Sequence, residues 1–196
     1  VTGGFGFCSG TLVNNTNNDG TPYFITANHC SGGEGSWAFR FNWRSPDPSC
    51  STTVPSTNGS FDQTVSGAIL RANSSESDTE LVEITDASFF NNNPDVVWAG
   101  WNRSKTELTA VNFGIHHPNG DIQKTCRDDQ GATRVTTGFN GNAAAKMWQI
   151  ADWDLGVTSQ GSSGSALYNE TGHLIGVLSG GGAQCSGTDD NGLSDI

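Results

Sequence analysis

The chain has 196 residues, and its 20 acidic against 9 basic side chains give a formal net charge of −11. That balance argues against a nucleic-acid backbone as partner, because neutralising phosphates takes clustered cations. Charged residues are only 15% of the chain and glycines number 26, a turn-rich composition that excludes long helices and points to an all-β fold.

No run reaches the roughly 18 apolar residues of a membrane span. Val1 opens a segment with neither a basic leader nor a cleavable apolar stretch, so the chain is expected to begin after any targeting signal. Cysteines at positions 8, 30, 50, 126 and 185 fit no zinc spacing, and no metal site is expected. Scattered in a glycine- and asparagine-rich, lysine-poor chain, they suit an oxidising compartment in which bridges tie loops together. Their odd number leaves at least one without a partner inside the chain.

Taken in order, residues 10–13, 23–26, 36–41, 67–70 and 80–84 are short, β-branched or alternating stretches and read as strands. Between them, 14–20 and 45–49 are built from Asn, Asp, Gly, Ser and Pro, which tolerate left-handed or pre-bent backbone and read as turns. Asn91-Asn92-Asn93-Pro94 interrupts the series and divides the chain into 1–94 and 95–196. A second series follows at 96–101, 111–115, 145–150, 165–168 and 173–178. No repeat of fixed period appears, and two packed antiparallel β-barrels of similar size is the economical architecture. The six tryptophans are expected in the barrel cores and the groove between them.

Gly161-Ser162-Ser163-Gly164-Ser165 precedes an apolar strand. Flanking glycines allow a sharp bend that exposes the Ser163 hydroxyl, and the bend can aim the amides of Gly161 and Ser163 at one point, a donor pair for a tetrahedral oxyanion. Taken alone, such a run is more often a flexible loop. A serine hydroxyl needs a base to become nucleophilic, and the base needs a carboxylate to orient it. Of four histidines, His29 follows the 23–26 strand beside Cys30, and Asp78 stands at the entrance of the 80–84 strand. A lone histidine at a strand end is usually a surface or packing residue, and acids at strand starts are ordinarily solvated. Their order along the chain (His29, then Asp78, then Ser163) carries more weight than any one of them.

Cys8-Ser9-Gly10-Thr11-Leu12-Val13, Thr26-Ala27-Asn28-His29-Cys30, Ser77-Asp78-Thr79-Glu80-Leu81 and Gly161-Ser162-Ser163-Gly164-Ser165-Ala166-Leu167 together resemble the trypsin-like serine peptidases of the chymotrypsin fold. Trp98-Ala99-Gly100-Trp101 and Gly114-Ile115-His116-His117-Pro118-Asn119-Gly120-Asp121 look like the bacterial lysyl endopeptidase branch. The resemblance implies two six-stranded antiparallel barrels, with His29 and Asp78 on the first and Ser163 and the specificity pocket on the second. It implies that Ser163 attacks the scissile carbonyl, His29 moves the proton and Asp78 orients the imidazole. It also implies a Cys8–Cys30 disulfide clamping the histidine loop. Adjacent residues on a strand face opposite ways, so His116 and His117 are expected to be structural rather than a shared metal site.

Trypsin-like enzymes that cleave after basic residues use an acid six residues before the nucleophile, and here that place holds Val157, followed by Thr158. In the lysyl branch an aspartate on a later loop supplies the charge. Asp195 resembles it, with Asp189 and Asp190 as rivals, and Ser179 and Gly181 resemble the segment that pairs with substrate backbone. Ser162 stands where trypsin has the aspartate that receives its activating N-terminus, so that switch is expected to be absent. Ser159 likewise replaces a cysteine that would pair with Cys185. The chain is expected to lack material at both ends relative to the family, including the partners of Cys50 and Cys185.

The resulting expectation is a secreted, extracellular, monomeric bacterial serine endopeptidase acting on proteins or peptides after lysine or other basic residues. It needs no metal or organic cofactor, no nucleic acid and no membrane. The alternative is a catalytically silent trypsin-like module that binds a protein partner. A carbohydrate-active β domain would explain the tryptophans and acids but not the His-Cys and Gly-Ser-Ser-Gly contexts.

Overall fold

The structure is a computed structural model and describes residues 7–48, 57–104, 109–139 and 141–183. The first half contains β1 (Thr11–Val13), β2 (Tyr23–Ala27), β3 (Ala38–Arg40), β4 (Thr64–Ser66), β5 (Ala68–Ser74), β6 (Thr79–Ile84) and the short helix α1 (Ser88–Asn92). The second contains β7 (Asn112–His116), β8 (Lys124–Asp128), β9 (Thr133–Phe139), β10 (Asn142–Gln149), β11 (Ala166–Asn169) and β12 (Leu174–Val177).

All the ladders between these strands are antiparallel. The first half forms a sheet in the order β1-β2-β6-β5 and a separate β3–β4 hairpin, and the second a sheet β12-β11-β7-β8 and a separate β9–β10 hairpin. Among the described residues each half has six strands, but its sheets are open and do not close into a six-stranded barrel. In the first half the break is local: Gly67, at φ +89°, turns the chain between β4 and β5 and gives its N–H to the Trp37 carbonyl. That ends the β3–β4 pairing after three rungs.

Strand β6 shows how the sequence pattern becomes a core. Its residues alternate between inner and outer faces, and Glu80, Val82 and Ile84 are all but fully buried. Val82 and Ile84 pack with Leu12, Trp37, Phe39 and Val65, and Phe24 meets Phe39 edge to face at 4.9 Å. A second cluster gathers Cys126, Ala132, Ile150 and Trp153. A third joins the halves: Val13 with Ala166 and Leu174, flanked by Tyr23, Ile25, Leu81 and Tyr168. Each fully buried aliphatic side chain there contributes roughly 1.5–3 kcal/mol, enough to fix the two sheets against each other.

Residues 96–101, expected to form a strand, instead make a strap between the halves. Ala99 exchanges hydrogen bonds with Leu12 and Asn14 of the first sheet, at 2.8 and 3.0 Å. Gly100 and Asn102 bond Leu174 of the second, both at 2.9 Å. Reaching in two directions, the segment bridges each sheet at a single position and extends neither. Trp101, in this strap, is 38% exposed, whereas Trp37, Trp43 and Trp153 are buried.

Candidate active site

The β2–β6 ladder ends with Ala27 opposite Thr79, which sets the residues just beyond each strand side by side. Beyond β2 the chain makes a tight turn over Asn28–Cys30, and Cys30 is joined to Cys8. Just before β6, Asp78 adopts φ +47°, a left-handed conformation that aspartate tolerates better than most residues. Its carbonyl accepts the Asn28 N–H at 3.0 Å. Its carboxylate then takes two bonds from one residue, the His29 backbone N–H at 2.8 Å and the His29 ring Nδ1–H at 2.7 Å.

Asp78 is fully buried while the His29 side chain is about one-third exposed. The hydrogen bond from the ring to Asp78 raises the His29 pKa above its usual value; partial burial opposes this and the carboxylate charge reinforces it. With Nδ1 donating to Asp78, neutral His29 keeps Nε2 as a free proton acceptor. This is the arrangement a general base requires.

Ser163 arrives on the loop before β11. Its carbonyl accepts the Ser9 N–H at 2.8 Å, and Ser9 directly follows Cys8 of the histidine-loop disulfide. Gly164, at φ +81°, lies so tightly against the end of β2 that an added Cβ would sit 2.6 Å from the Ser9 carbonyl oxygen and 2.7 Å from the Ala27 nitrogen. The serine loop thus rests on the strand that delivers His29 two residues later. Ser163 Oγ makes no hydrogen bond among the described residues, His29 included; such contacts are often long before substrate binds.

Amides around Ser163 divide into two groups. Ser162 N–H donates to the Ser159 carbonyl at 2.9 Å and Gly164 N–H to the Leu178 carbonyl at 2.7 Å. Those of Gly161 and Ser163 have no acceptor among the described residues. Gly161 itself, at φ +91°, is pressed against the His117 carbonyl, where an added Cβ would come within 2.9 Å.

Ser179 is buried and its hydroxyl lacks a partner among the described residues, while Gly181 is exposed. A cavity of about 250 Å³ is lined by Leu178, the chain neighbour of Ser179, and by Met147, Trp148, Trp153, Thr158 and Ser165. Lys146 is the one charged side chain among its described lining residues. Asp195, Asp189 and Asp190 lie outside the described residues. One cluster among the described residues has metal-ligand spacing, Cys8, His29 and Cys30, and its two sulfurs are already bonded to each other.

Two residues that sequence reasoning gave no site role hold this arrangement together. Ser9 Oγ donates to the Gly161 carbonyl at 2.8 Å and accepts the His117 N–H at 2.9 Å, while Thr26 Oγ1 donates to the Ser9 carbonyl at 2.7 Å. His116, 1% exposed, contacts Ser162 Oγ through Nδ1 at 2.7 Å. A serine beside a cysteine and one of two adjacent histidines carry no periodic signal that would have singled them out.

A family model described as "Lysyl endopeptidase, C-terminal domain" matches residues 1–196, the whole chain. The chain belongs to the lysyl endopeptidase C-terminal domain family. A lysyl endopeptidase of Pseudomonas aeruginosa is 29% identical over 188 residues, covering 93% of this chain but only 39% of that protein's length. Among solved structures, an HtrA-type protease, AlgW, with decapeptide matches at TM-score 0.59 and 17% identity, over 97% of this chain and 47% of that one. The Rv3671c protease from M. tuberculosis, in its active form, matches at 0.58 and 13%, over 96% and 67%. The MamO protease domain from Magnetospirillum magneticum matches at 0.53 and 13%, over 100% and 87%. At these identities the structures establish a shared fold, the mostly-β fold of trypsin-like proteases, and the lysyl endopeptidase family membership rests on the sequence match.

Proposed function

We propose that this lysyl endopeptidase family domain is a serine endopeptidase that hydrolyses peptide bonds through an acyl-enzyme, with its site between residues 1–94 and 95–196. The observation that carries this reading is the double grip of the buried Asp78 carboxylate on His29, with the Ser163–Gly164 backbone seated on the same strand end.

In this reading His29 Nε2 takes the Ser163 Oγ proton as the oxygen attacks the scissile carbonyl carbon. Asp78 holds the ring in the correct tautomer and stabilises the imidazolium. The Gly161 and Ser163 amides, without other acceptors among the described residues, are available to the carbonyl oxygen as it gains negative charge, an interaction worth about 3–4 kcal/mol per donor at the transition state. His29 then gives its proton to the leaving amine, and a water activated by the same imidazole releases the acyl group from Ser163.

We further propose cleavage after lysine or other basic residues, which the name of the Pseudomonas relative supports, with Asp195 as the carboxylate facing the substrate cation and Ser179 and Gly181 along the substrate backbone. The Cys8–Cys30 bridge supports a protein that is secreted into an oxidising, extracellular compartment. Labelling with a serine-directed phosphonylating reagent tests the chemistry. Stoichiometric modification at Ser163, abolished in Ser163→Ala and greatly slowed in His29→Ala, is expected, and an unmodified Ser163 in the full-length protein refutes it. A peptide panel tests the preference: an Asp195→Asn variant that keeps wild-type discrimination for lysine substrates removes Asp195 from the role.

A further inference from the structure

Ser162 is fully buried at the centre of the nucleophile loop and makes four hydrogen bonds. Its N–H donates to the Ser159 carbonyl at 2.9 Å and its carbonyl accepts the Ser165 N–H at 3.0 Å. Its Oγ accepts the Ser159 N–H at 3.0 Å and meets His116 Nδ1 at 2.7 Å. The hydroxyl has one hydrogen. With the Ser159 amide on one lone pair, His116 Nδ1 either accepts that hydrogen or donates to the second lone pair, so the two side chains are joined in both ring tautomers.

His116 Nε2 is buried and has no hydrogen-bond partner among the described residues. A buried polar atom left unsatisfied is costly and calls for an explanation. Here the ring is committed through one nitrogen to Ser162 alone. Burial holds the imidazole neutral, its pKa pushed down to about 4, so the bond is between uncharged groups and avoids the desolvation cost of a buried ion pair. His116 is also well placed to set the loop's position: it ends β7, whose Ile115 pairs with Ala166 just after the loop. The residues that follow extend the support, since Asn119 N–H donates to the Gln160 carbonyl at 2.6 Å and the His117 carbonyl backs Gly161.

We infer that His116 is a positioning residue: through Ser162 Oγ it holds residues 159–163 in the shape that turns the Gly161 and Ser163 amides toward the substrate oxyanion. The inference rests on the peptidase reading above and adds to it the element that keeps the oxyanion donors in place.

The test compares full-length wild type, His116→Leu and His116→Asn. In the asparagine variant the side-chain amide takes up roughly the position of Nδ1 and can still bond Ser162 Oγ. His116→Leu is expected to lower kcat by about 10- to 100-fold with KM changed less than about threefold, the pattern of a weakened oxyanion interaction. Affinity for a peptide aldehyde, which forms a tetrahedral adduct, should fall in parallel, while that for a non-reactive product peptide should not. His116→Asn should recover most of the lost kcat. A folded His116→Leu enzyme with wild-type kcat and aldehyde affinity overturns the inference alone. If that variant does not fold, Ser162→Ala decides by the same measurements: a comparable loss of kcat supports the inference and an unchanged kcat overturns it. A wild-type protein that neither cleaves nor takes the phosphonyl label overturns the peptidase reading and this inference with it.

Discussion

Ser9 Oγ donates a 2.8 Å hydrogen bond to the carbonyl of Gly161, 152 positions later in the chain. The same side chain accepts the His117 amide, and the Ser9 backbone bonds Ser163 and Thr26. One small residue next to the disulfide thus ties the loop carrying the candidate nucleophile to the strand carrying the candidate base.

Ser9→Ala leaves the Gly161 carbonyl and the His117 amide without their partner in a buried place. The expected cost is about 1–3 kcal/mol of stability, read as a lower denaturation midpoint at unchanged m-value. A fall in kcat exceeding any rise in KM should accompany it, because the loop that moves carries Ser163. Wild-type stability together with wild-type kcat would show that the clasp is dispensable.

Gly164→Ala should be far more damaging. The backbone is left-handed at φ +81°, and the new methyl would collide with the Ser9 carbonyl, the Ala27 nitrogen and Thr26 Oγ1. Backbone atoms cannot swing away as a flexible side chain can, so either the loop lifts off β2 or the protein fails to fold. Little soluble protein, or soluble protein whose phosphonylation rate drops at least about 100-fold, is the expected result; near-normal labelling would mean that the loop need not touch the strand.

These two contacts also mark where the sequence stopped being informative. The order His29, Asp78, Ser163 and the proximity of each to a strand were legible, as were most apolar strands, because alternation and turn residues are local signals. The pairing that brings Asp78 to His29 is set by the Ala27–Thr79 register, a nonlocal property fixed by which faces are buried. Strand β8, Lys124–Asp128, escaped notice because its exposed positions are Thr125 and Arg127 and its two buried ones are Cys126 and the charged Asp128, too little apolar alternation to mark a strand. Residues 96–101 misled in the opposite sense: apolar enough for a strand, they are divided between two sheets and extend neither.

The raised pKa of His29 gives opposite pH trends for activity and stability. Catalysis needs the neutral ring, so kcat/KM should rise with pH through a midpoint above 6.5, the ordinary histidine value. Asp78 favours the protonated ring only in the folded state, so its stabilising contribution is complete below 6.5 and is lost as pH rises through the folded pKa. Asp78→Asn should move the acid limb of the rate profile downward and reduce kcat by on the order of 10⁴-fold. An acid limb that stays in place would mean that another group sets it.

Glu80 behaves in the reverse sense from a salt-bridged acid. Fully buried on the core face of β6 with both carboxyl oxygens unpartnered among the described residues, it has its pKa raised to about 7 by burial and by the negative charge of Glu34. The unfolded chain ionises Glu80 near 4.5, whereas the folded chain holds the proton until about 7. Stability should therefore decline as pH rises between those values and stay reduced above them, by up to roughly 3 kcal/mol. Glu80→Met, apolar and of similar length, should flatten that slope, leaving only the His29 contribution above pH 6.5, and be more stable than wild type at pH 8. Denaturant melts at pH 4.5 and 8 suffice to measure it, and parallel pH trends in the two proteins would refute the assignment.

The Cys8–Cys30 bridge closes a loop with a sequence separation of 22, for which chain entropy alone predicts a contribution of roughly 3 kcal/mol. Its position adds a second effect. Cys30 ends the turn that holds His29, and Cys8 precedes Ser9, so opening the bridge loosens the base and the clasp on the nucleophile loop together. The Cys8→Ala, Cys30→Ala double variant should thus lose activity at temperatures where it is still folded, with kcat falling before the circular-dichroism signal does. Combining it with Ser9→Ala separates the two contributions. If the bridge acts on the site through Ser9, the triple variant loses less kcat than the product of the separate losses. Fully multiplicative losses would place its effect on the His29 turn alone.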